Sequence, residues 1–194
     1  MLQQTQVARV VAKYGEFLDR FPTLESIAAA RARQVHEAWD GLGYYARARH
    51  LHALARHVVR GERRRGGRAG GSLDGATLPD TIVALRALPG IGRYTAGAVA
   101  SFAFERAAPI VDTNVARVLT RVFAPELDPR TPRARRAAWD LATALLPRSG
   151  RIAYVHNQAL MELGALVCRP RKPRCRECPV RSLCKTGGRL TPGP

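Results

Sequence analysis

The sequence predicts an all-α protein, and three observations indicate this fold class. Apolar residues recur at helical spacing in most of the chain. An alternating apolar and polar pattern does not extend beyond five residues, so no β-strand is predicted. Self-similarity at a fixed period is absent from the sequence, which argues against a solenoid of repeats. The prediction is therefore a set of separate amphipathic helices.

The first four predicted helices occupy the N-terminal third of the chain. Val7, Val10, Tyr14 and Phe17 share a helical face. Next come FPTLESIAAA, where Thr23 is placed to cap a helix, and RQVHEAWDGL, which ends before a glycine. The fourth segment is YYARARHLHALARHVV, which keeps its leucines and valines on one side.

The segment from residue 60 to residue 77 interrupts this order. It has the sequence RGERRRGGRAGGSLDGAT, lacks periodicity, and is rich in Gly and Arg. We expect a flexible basic loop over 60–77. Helical patterns then resume at LPDTIVALRAL and continue through NVARVLTRVF, PRARRAAWDLATALLP and RIAYVHNQALMELGALVC.

The charge balance predicts a polyanionic partner. Among 194 residues, 32 are Lys or Arg and 15 are Asp or Glu, a formal net charge of +17. Nucleic acid is the first candidate and an anionic membrane surface the second, while a general bias toward Arg would explain the charge without any partner. Apolar runs approaching the roughly 18 residues of a membrane span are not found.

A glycine-rich turn, LPGIG, separates two helical patterns near the middle of the chain. Gly90 and Gly92 permit positive φ and close approach of backbone to a ligand, and Pro89 ends the preceding helix. The following helix begins with unsatisfied N–H groups that suit an anionic oxygen. The pattern is typical of a helix-hairpin-helix at about 80–104, which binds DNA backbone; the alternative is an ordinary helix connection.

All four cysteines lie near the C-terminus with the spacing C-x6-C-x2-C-x5-C. They are Cys168, Cys175, Cys178 and Cys184. Without a visible secretory signal, a metal site is favoured over disulfides. Four thiolates suit either zinc or a [4Fe–4S] cluster. Zinc ribbons usually have two C-x2-C pairs and this chain has one, so the spacing favours the cluster, in a structural role.

These motifs, in this order, resemble the endonuclease III superfamily of base-excision DNA glycosylases, and within it the adenine DNA glycosylase (MutY) family. The resemblance is carried by MLQQTQVARV, GLGYYARARHLH, LPGIGRYTAGAVASFAF, VDTNVARVLTR and NQALMELGALVC, from Met1 to about Cys184. It implies a two-lobed helix-hairpin-helix glycosylase fold with a C-terminal [4Fe–4S] cluster loop. The expected modules are 1–108, which contains the hairpin, and 109–184, which holds the cluster, with a tail at 185–194.

The resemblance implies removal of adenine mispaired with 8-oxoguanine or guanine, by hydrolysis of the N-glycosidic bond. Departure of adenine leaves positive charge on the sugar, and Asp112 matches the family's stabilising carboxylate. Asn114 would orient Asp112 or the substrate. Tyr94 occupies the position of the Lys that forms a Schiff base in bifunctional relatives, so a monofunctional enzyme is expected. The structural alternatives are a helix cap, a first-turn polar residue and a core aromatic residue.

The family pattern also implies contacts with a flipped-out nucleotide. Gln4 and Tyr44 correspond to side chains that wedge into the duplex, and Gln158 corresponds to a residue lining the adenine pocket. Gly90 and Gly92 would hold the phosphate backbone. Helix capping by Gln4 and core packing by Tyr44 are the alternatives. The expected partner is double-stranded DNA with an adenine mispair, bound by a monomer in a bacterial cytoplasm, at the nucleoid, without membrane association.

Two departures from the family pattern are expected. The family's general-acid Glu stands two residues before the Met of MLQQT, so the sequence lacks it together with its helix. A start assigned too late would explain this, and a truncated protein that binds DNA without efficient cleavage is the alternative. The 8-oxoguanine recognition domain is also absent from the sequence.

Two further hypotheses come from different classes of protein. A bifunctional lyase acting on oxidised pyrimidines would need an amine after the hairpin, and Tyr94 disfavours it. A small iron–sulfur electron carrier would account for the four cysteines. It explains neither the glycine hairpin nor the positive charge.

Overall fold

The fold is all-helical throughout the part of the chain that the structure describes, which confirms the predicted class. This computed structural model describes Met1, residues 5–64 and residues 77–187. Within those residues, none of the helices combines the length and the apolarity that a bilayer crossing requires. The helices are α1 (Val7–Arg20), α2 (Leu24–Ala29), α3 (Ala32–Ala38), α4 (Ala46–Arg64), α5 (Ile82–Arg86), α6 (Arg93–Phe104), α7 (Thr113–Phe123), α8 (Pro132–Ala144) and α9 (Gly150–Glu162), followed by a π-helical turn (Leu163–Val167) and 3₁₀ turns at Cys175–Glu177 and Arg181–Leu183.

The chain divides into two compact units. The first is Met1–Pro79 with Val83–Ile91, and the second is Asp80–Ile82 with Gly92–Pro194. The sequence-based division after residue 108 differs from this one, because it grouped α6 with the first module. In the structure α6 belongs to the second unit. One reason is the buried Asn157 of α9, whose amide donates to Ser101 Oγ of α6 at 3.0 Å and to the Ala108 carbonyl at 2.9 Å.

An aromatic cluster forms the core of the first unit. Phe17 of α1 contacts Phe21 and Trp39, with ring centroids 5.3 Å and 5.8 Å away. Around these rings α1 packs on α3, and both α2 and α3 pack on α4. Full burial of one such side chain stabilises the fold by roughly 1.5–3 kcal/mol. Of the four residues predicted to share a face of α1, Val10 and Phe17 are buried in the core, whereas Val7 and Tyr14 are exposed.

The core of the second unit forms between α7 and α8. Val115 and Leu119 of α7 face Ala138, Trp139 and Ala142 of α8, and all five side chains are buried. The periodicity of NVARVLTRVF predicts this arrangement, because positions four apart lie on one helical face.

Side-chain caps start two of the helices where the sequence supplies hydroxyl groups. Thr23 accepts from the Ser26 amide at 3.2 Å, and the Ser26 hydroxyl accepts from the Thr23 amide, as a capping box does. Thr131 accepts from the Ala134 amide, with Pro132 in the first helical position. The predicted cap at Thr23 is confirmed.

The predicted basic loop begins later than the sequence indicates. Helix α4 continues through Arg64, so residues 60–64 are helical and the predicted loop boundary at 60 is wrong. Glu62, Arg63 and Arg64 are good helix formers that extend α4, and one glycine at Gly61 costs only about 1 kcal/mol against Ala. Residues 65–76 lie outside the described residues.

A close contact at Gly97 generates a stability prediction. A Cβ on Gly97, in the middle of α6, would lie 2.4 Å from the carbonyl oxygen of Pro109. Gly97→Ala therefore lowers the free energy of unfolding by about 1–3 kcal/mol, the usual cost of overpacking. The measurement is urea denaturation followed by circular dichroism.

Gly15→Ala is the matched control. Gly15 is also a mid-helix glycine, exposed on α1, and a Cβ there meets none of the described atoms within 4 Å. That substitution raises stability by about 0.5–1 kcal/mol through helix propensity. Equal effects at the two positions would contradict the packing argument.

Candidate functional site

The glycine turn before α6 requires glycine at Gly90 for two reasons. Gly90 has φ +75°, and a Cβ there would lie 2.5 Å from Cβ of His50 on α4. The Ile91 amide closes the turn on the Leu88 carbonyl at 3.2 Å. Gly92 is then the N-cap of the 12-residue helix α6, is exposed, and offers no side-chain cap.

An arginine of α6 contacts the core of the second unit. The Arg93 guanidinium lies 3.9 Å from the ring centroid of Trp139, a buried residue of α8. This cation–π contact fixes the start of α6 against α8. Sequence analysis missed it, because nothing in the spacing of two residues 46 positions apart indicates that they meet.

Asp112 stands at the N-terminus of α7 and uses both carboxylate oxygens. Its Oδ1 accepts from the Val115 amide at 2.7 Å, and its Oδ2 accepts from the Asn114 side-chain amide at 3.0 Å. Asp112 is therefore the helix cap that the structural alternative predicts, and it is half-buried. The cap fixes the carboxylate in one orientation at the positive end of the helix.

Tyr94 is close enough to Asp112 for the carboxylate charge to affect its pKa. Burial raises the pKa of the Tyr94 hydroxyl above its ordinary value, and the charge of Asp112 adds to the shift. The phenol therefore stays protonated at neutral pH. The structure thus brings Tyr94, Asp112 and Asn114 into one region of the second unit.

Arg117 connects the region around Asp112 to the cysteine segment, residues 168–184. Its Nη2 donates to Asn114 Oδ1 at 2.8 Å and to the Gly164 carbonyl at 2.7 Å, while its Nε donates to the Cys168 carbonyl at 2.8 Å. Burial lowers the pKa of Arg117, but a guanidinium keeps its charge at neutral pH. A Cβ on Gly164 would lie 2.7 Å from Cβ of Asn114, so only glycine lets the π-helical turn approach.

Sequence analysis did not find Arg117. The one signal available was its position, three residues after Asn114 and therefore on the same helical face. The partners on the π-helical turn and at Cys168 lie about fifty positions away, and only the folded chain shows them.

The four cysteines line one cavity in the second unit. Its volume is about 380 Å³, part of it open to solvent, and its wall includes Val118, Arg121, Leu163 and Pro173 beside Cys168, Cys175, Cys178 and Cys184. Burial raises the pKa of the Cys175 thiol, and the other three cysteines add to that shift. All four are reduced. In the described residues, however, no three His, Cys, Asp or Glu side chains are arranged to hold a metal ion.

Arg121 supports the first part of the cysteine segment. Its Nη1 donates to Cys168 Sγ at 3.5 Å and to the Arg169 carbonyl at 2.8 Å, and its Nη2 donates to the Pro170 carbonyl at 3.0 Å. Arg121 thus joins α7 to the first residues of the cysteine segment.

The remaining predicted site residues have different surroundings. Tyr44 belongs to the first unit, has φ +47°, and is 60% exposed, so it is not a core aromatic residue. Gln158 is exposed on α9, where its amide donates to Glu162 Oε1 at 3.0 Å. Gln4 lies outside the described residues.

Comparison with known proteins agrees with the helical fold and with the helix-hairpin-helix. Residues 1–144 match the family model described as HhH-GPD superfamily base excision DNA repair protein. The chain belongs to the HhH-GPD superfamily of base excision DNA repair proteins.

The sequence is similar to adenine DNA glycosylases in particular. It is 45% identical over 196 residues to the adenine DNA glycosylase of Rattus norvegicus. The aligned region covers 100% of this chain and 35% of the rat protein. The predicted resemblance is confirmed. This chain therefore spans about a third of the length of that curated relative.

Two solved structures share the fold. A thermostable thymine-DNA glycosylase is 30% identical with a TM-score of 0.77, over 97% of this chain and 80% of that one. Endonuclease III, in a trapped covalent intermediate with DNA, has a TM-score of 0.76 over the same shares of the chains. At 21% identity the second likeness concerns the fold alone.

The contacts of Arg117 predict that it stabilises the second unit. Arg117→Met removes four charge-assisted hydrogen bonds and leaves three carbonyl groups without this donor, so we expect a loss of about 1–3 kcal/mol in the free energy of unfolding. We also expect trypsin to cleave the cysteine segment faster in this variant than in the wild-type protein. Urea denaturation and limited trypsin digestion measure the two effects.

The matched control is Arg136→Met, at an exposed arginine of α8. It removes the same charge and leaves stability within about 0.5 kcal/mol. If Arg117→Met behaves like this control, the network does not stabilise the unit.

Proposed function

We propose that this chain is the catalytic core of a monofunctional DNA glycosylase that removes adenine mispaired with 8-oxoguanine or guanine. The observation that carries the proposal is the arrangement of Asp112, Asn114 and Tyr94 in a member of a base-excision family. Similarity to an adenine DNA glycosylase supports adenine as the substrate base.

Asp112 is the residue we assign to stabilise positive charge on the deoxyribose as adenine leaves. A fixed carboxylate needs no reorganisation when that charge develops, which is the condition for effective electrostatic catalysis. The Val115 amide and the Asn114 side chain provide the fixation. Asn114 is thus a positioning residue, and Arg117 holds its amide with the NH₂ toward Asp112.

Tyr94 supports the monofunctional assignment. Schiff-base formation requires a free amine beside the sugar, and a protonated phenol in that region supplies none. The proposed product is therefore an abasic site with both strands intact. Tyr94 would contact the extruded nucleotide instead.

Binding of duplex DNA is proposed at the glycine turn and the basic surface. The N-terminus of α6, which follows Gly92 and has no side-chain cap, suits a phosphate oxygen, and Gly90 gives the backbone its close turn. A net charge of +17 favours DNA over a neutral partner. Tyr44 would insert into the duplex, and Gln158 and Gln4 would contact the lesion site. We further propose that the protein acts as a monomer in the bacterial cytoplasm.

We assign a [4Fe–4S] cluster to the cysteine cavity. The four cysteines line one cavity, and four thiolates suit such a cluster. Their spacing has one C-x2-C pair where zinc ribbons usually have two, which favours the cluster over zinc. Cys168, Cys175, Cys178 and Cys184 would hold the cluster, and Arg121 would offset its negative charge. The cluster would supply structural cross-linking of the segment.

Metal analysis of the purified protein tests this assignment. We expect about four irons and four acid-labile sulfides per chain, as the composition of the cluster requires. Cys178→Ser lowers the iron content and the stability of the second unit. One zinc per chain with no sulfide would replace the cluster assignment by a zinc site.

A single-turnover assay on duplex DNA with adenine opposite 8-oxoguanine tests the activity. Asp112→Asn is the informative variant, because Asn caps helices as well as Asp does while it removes the charge. We expect the rate of adenine release to fall by roughly 100-fold or more, with unchanged binding. Asp140→Asn, at an exposed position of α8, is the control and keeps the full rate.

The same assay distinguishes the glycosylase from a lyase and from a DNA-binding protein. Covalent capture with borohydride would indicate a lyase, and we expect none. Mismatch binding without adenine release would favour a DNA-binding protein in which Asp112 only caps α7, which its two hydrogen bonds also allow.

A further inference from the structure

The turn between α3 and α4 presents an aromatic ring in a strained backbone conformation. Gly41 and Gly43 have φ of +82° and +67°, and Tyr44 has φ +47°. The left-handed region costs a residue with a Cβ roughly 1–2 kcal/mol. Tyr44 is nevertheless 60% exposed, so burial of its ring does not offset this cost. Contacts from elsewhere in the fold must hold the turn.

Arg47, one residue into α4, makes those contacts with the turn itself. Its Nη2 donates to the carbonyl oxygens of Gly43 at 3.1 Å and Leu42 at 3.2 Å. The guanidinium lies 5.4 Å from the ring centroid of Tyr44 and 5.4 Å from that of Trp39. The cation therefore contacts an exposed ring and a buried one, and donates to the two carbonyls that precede Tyr44.

The same guanidinium also holds the N-terminal segment against the turn. Arg47 Nη1 donates to the Met1 carbonyl at 2.7 Å, and Nη2 donates to Thr5 Oγ1 at 2.8 Å. The Thr5 hydroxyl in turn donates to the Leu42 carbonyl at 3.0 Å. The planar guanidinium of Arg47 thus joins two chain segments more than 35 positions apart. A lysine ammonium does not reproduce this geometry.

We propose that Arg47 is a positioning residue that holds the Tyr44 ring in place for insertion beside the extruded nucleotide. This inference rests on the proposed function and assigns a role to a residue that does not itself reach the reacting bond. A ring held before binding loses little freedom when it inserts, so more of the contact energy is available for separating the target base from its neighbours.

The test combines variants at Arg47 and Tyr44. The variants are Arg47→Met, Arg47→Lys, Tyr44→Leu and the double variant Arg47→Met with Tyr44→Leu. Arg49→Met is the matched control, because Arg49 is an exposed arginine on the same helix. Each protein is titrated with a mismatched and a matched duplex. In a second mismatched duplex, 2-aminopurine replaces the target adenine, and its fluorescence reports extrusion from the stack.

We expect Arg47→Met and Arg47→Lys to reduce the preference for the mismatched duplex and the 2-aminopurine signal by roughly 10- to 100-fold, as displacement of a positioned group does. The double variant should be no weaker than Tyr44→Leu alone, because both changes remove one function. Arg49→Met should weaken binding equally for both duplexes. Additive effects, or full activity of Arg47→Lys, would overturn the proposal.

A measurement without DNA separates this proposal from the proposed function. Hydrogen exchange of the amides in residues 41–47 should be at least tenfold faster in Arg47→Lys than in Arg49→Met, whereas the amides of α7 and α8 in the second unit should exchange at similar rates in the two variants. Unchanged exchange would overturn the positioning role even if the protein cleaves adenine. If the wild-type protein shows no mismatch preference while the exchange rates differ as expected, the proposed function fails and the restraint of Tyr44 by Arg47 stands.

Discussion

The hydrogen bonds at the start of α7 are the constraint on which the candidate site depends. Asp112 caps the helix, Asn114 donates to Asp112, and Arg117 fixes Asn114 while it binds the Gly164 and Cys168 carbonyls. Each side chain is thus oriented by the next, and the series of hydrogen bonds ends at the backbone of Gly164 and Cys168.

Arginine has two different roles in this protein. Most of the 32 basic residues contribute to a field that attracts a polyanion, and that field requires no defined geometry. Arg47, Arg117 and Arg121 instead point into the fold and bind carbonyl oxygens of distant segments. A guanidinium group suits this second role because one side chain can donate hydrogen bonds to several carbonyl oxygens at once. High arginine content is thus partly structural.

Glycine marks the places where segments approach closely. Gly90 lies against His50, Gly97 against Pro109, and Gly164 against Asn114, each at a distance that excludes a Cβ. The sequence indicates the first of these through the LPGIG pattern. Gly97 and Gly164 stand inside helical patterns and carry no such mark, since their partners come from other elements. Helix α4 shows the opposite case, because Gly61 suggested a loop and the helix continues.

The sequence by itself determined the helical class, the family, the cysteine set and the identity of Asp112, Asn114 and Tyr94 as candidates. The helical class follows from local periodicity. The three candidates are implied by the resemblance to the family, which rests on motifs whose informative residues are neighbours along the chain. Only the tertiary structure decided that Arg47 restrains Tyr44, that Arg93 stacks on Trp139, and that Arg117 links Asn114 to Cys168. Such contacts join residues that lie far apart in sequence, and burial and hydrogen bonding in the folded chain select them.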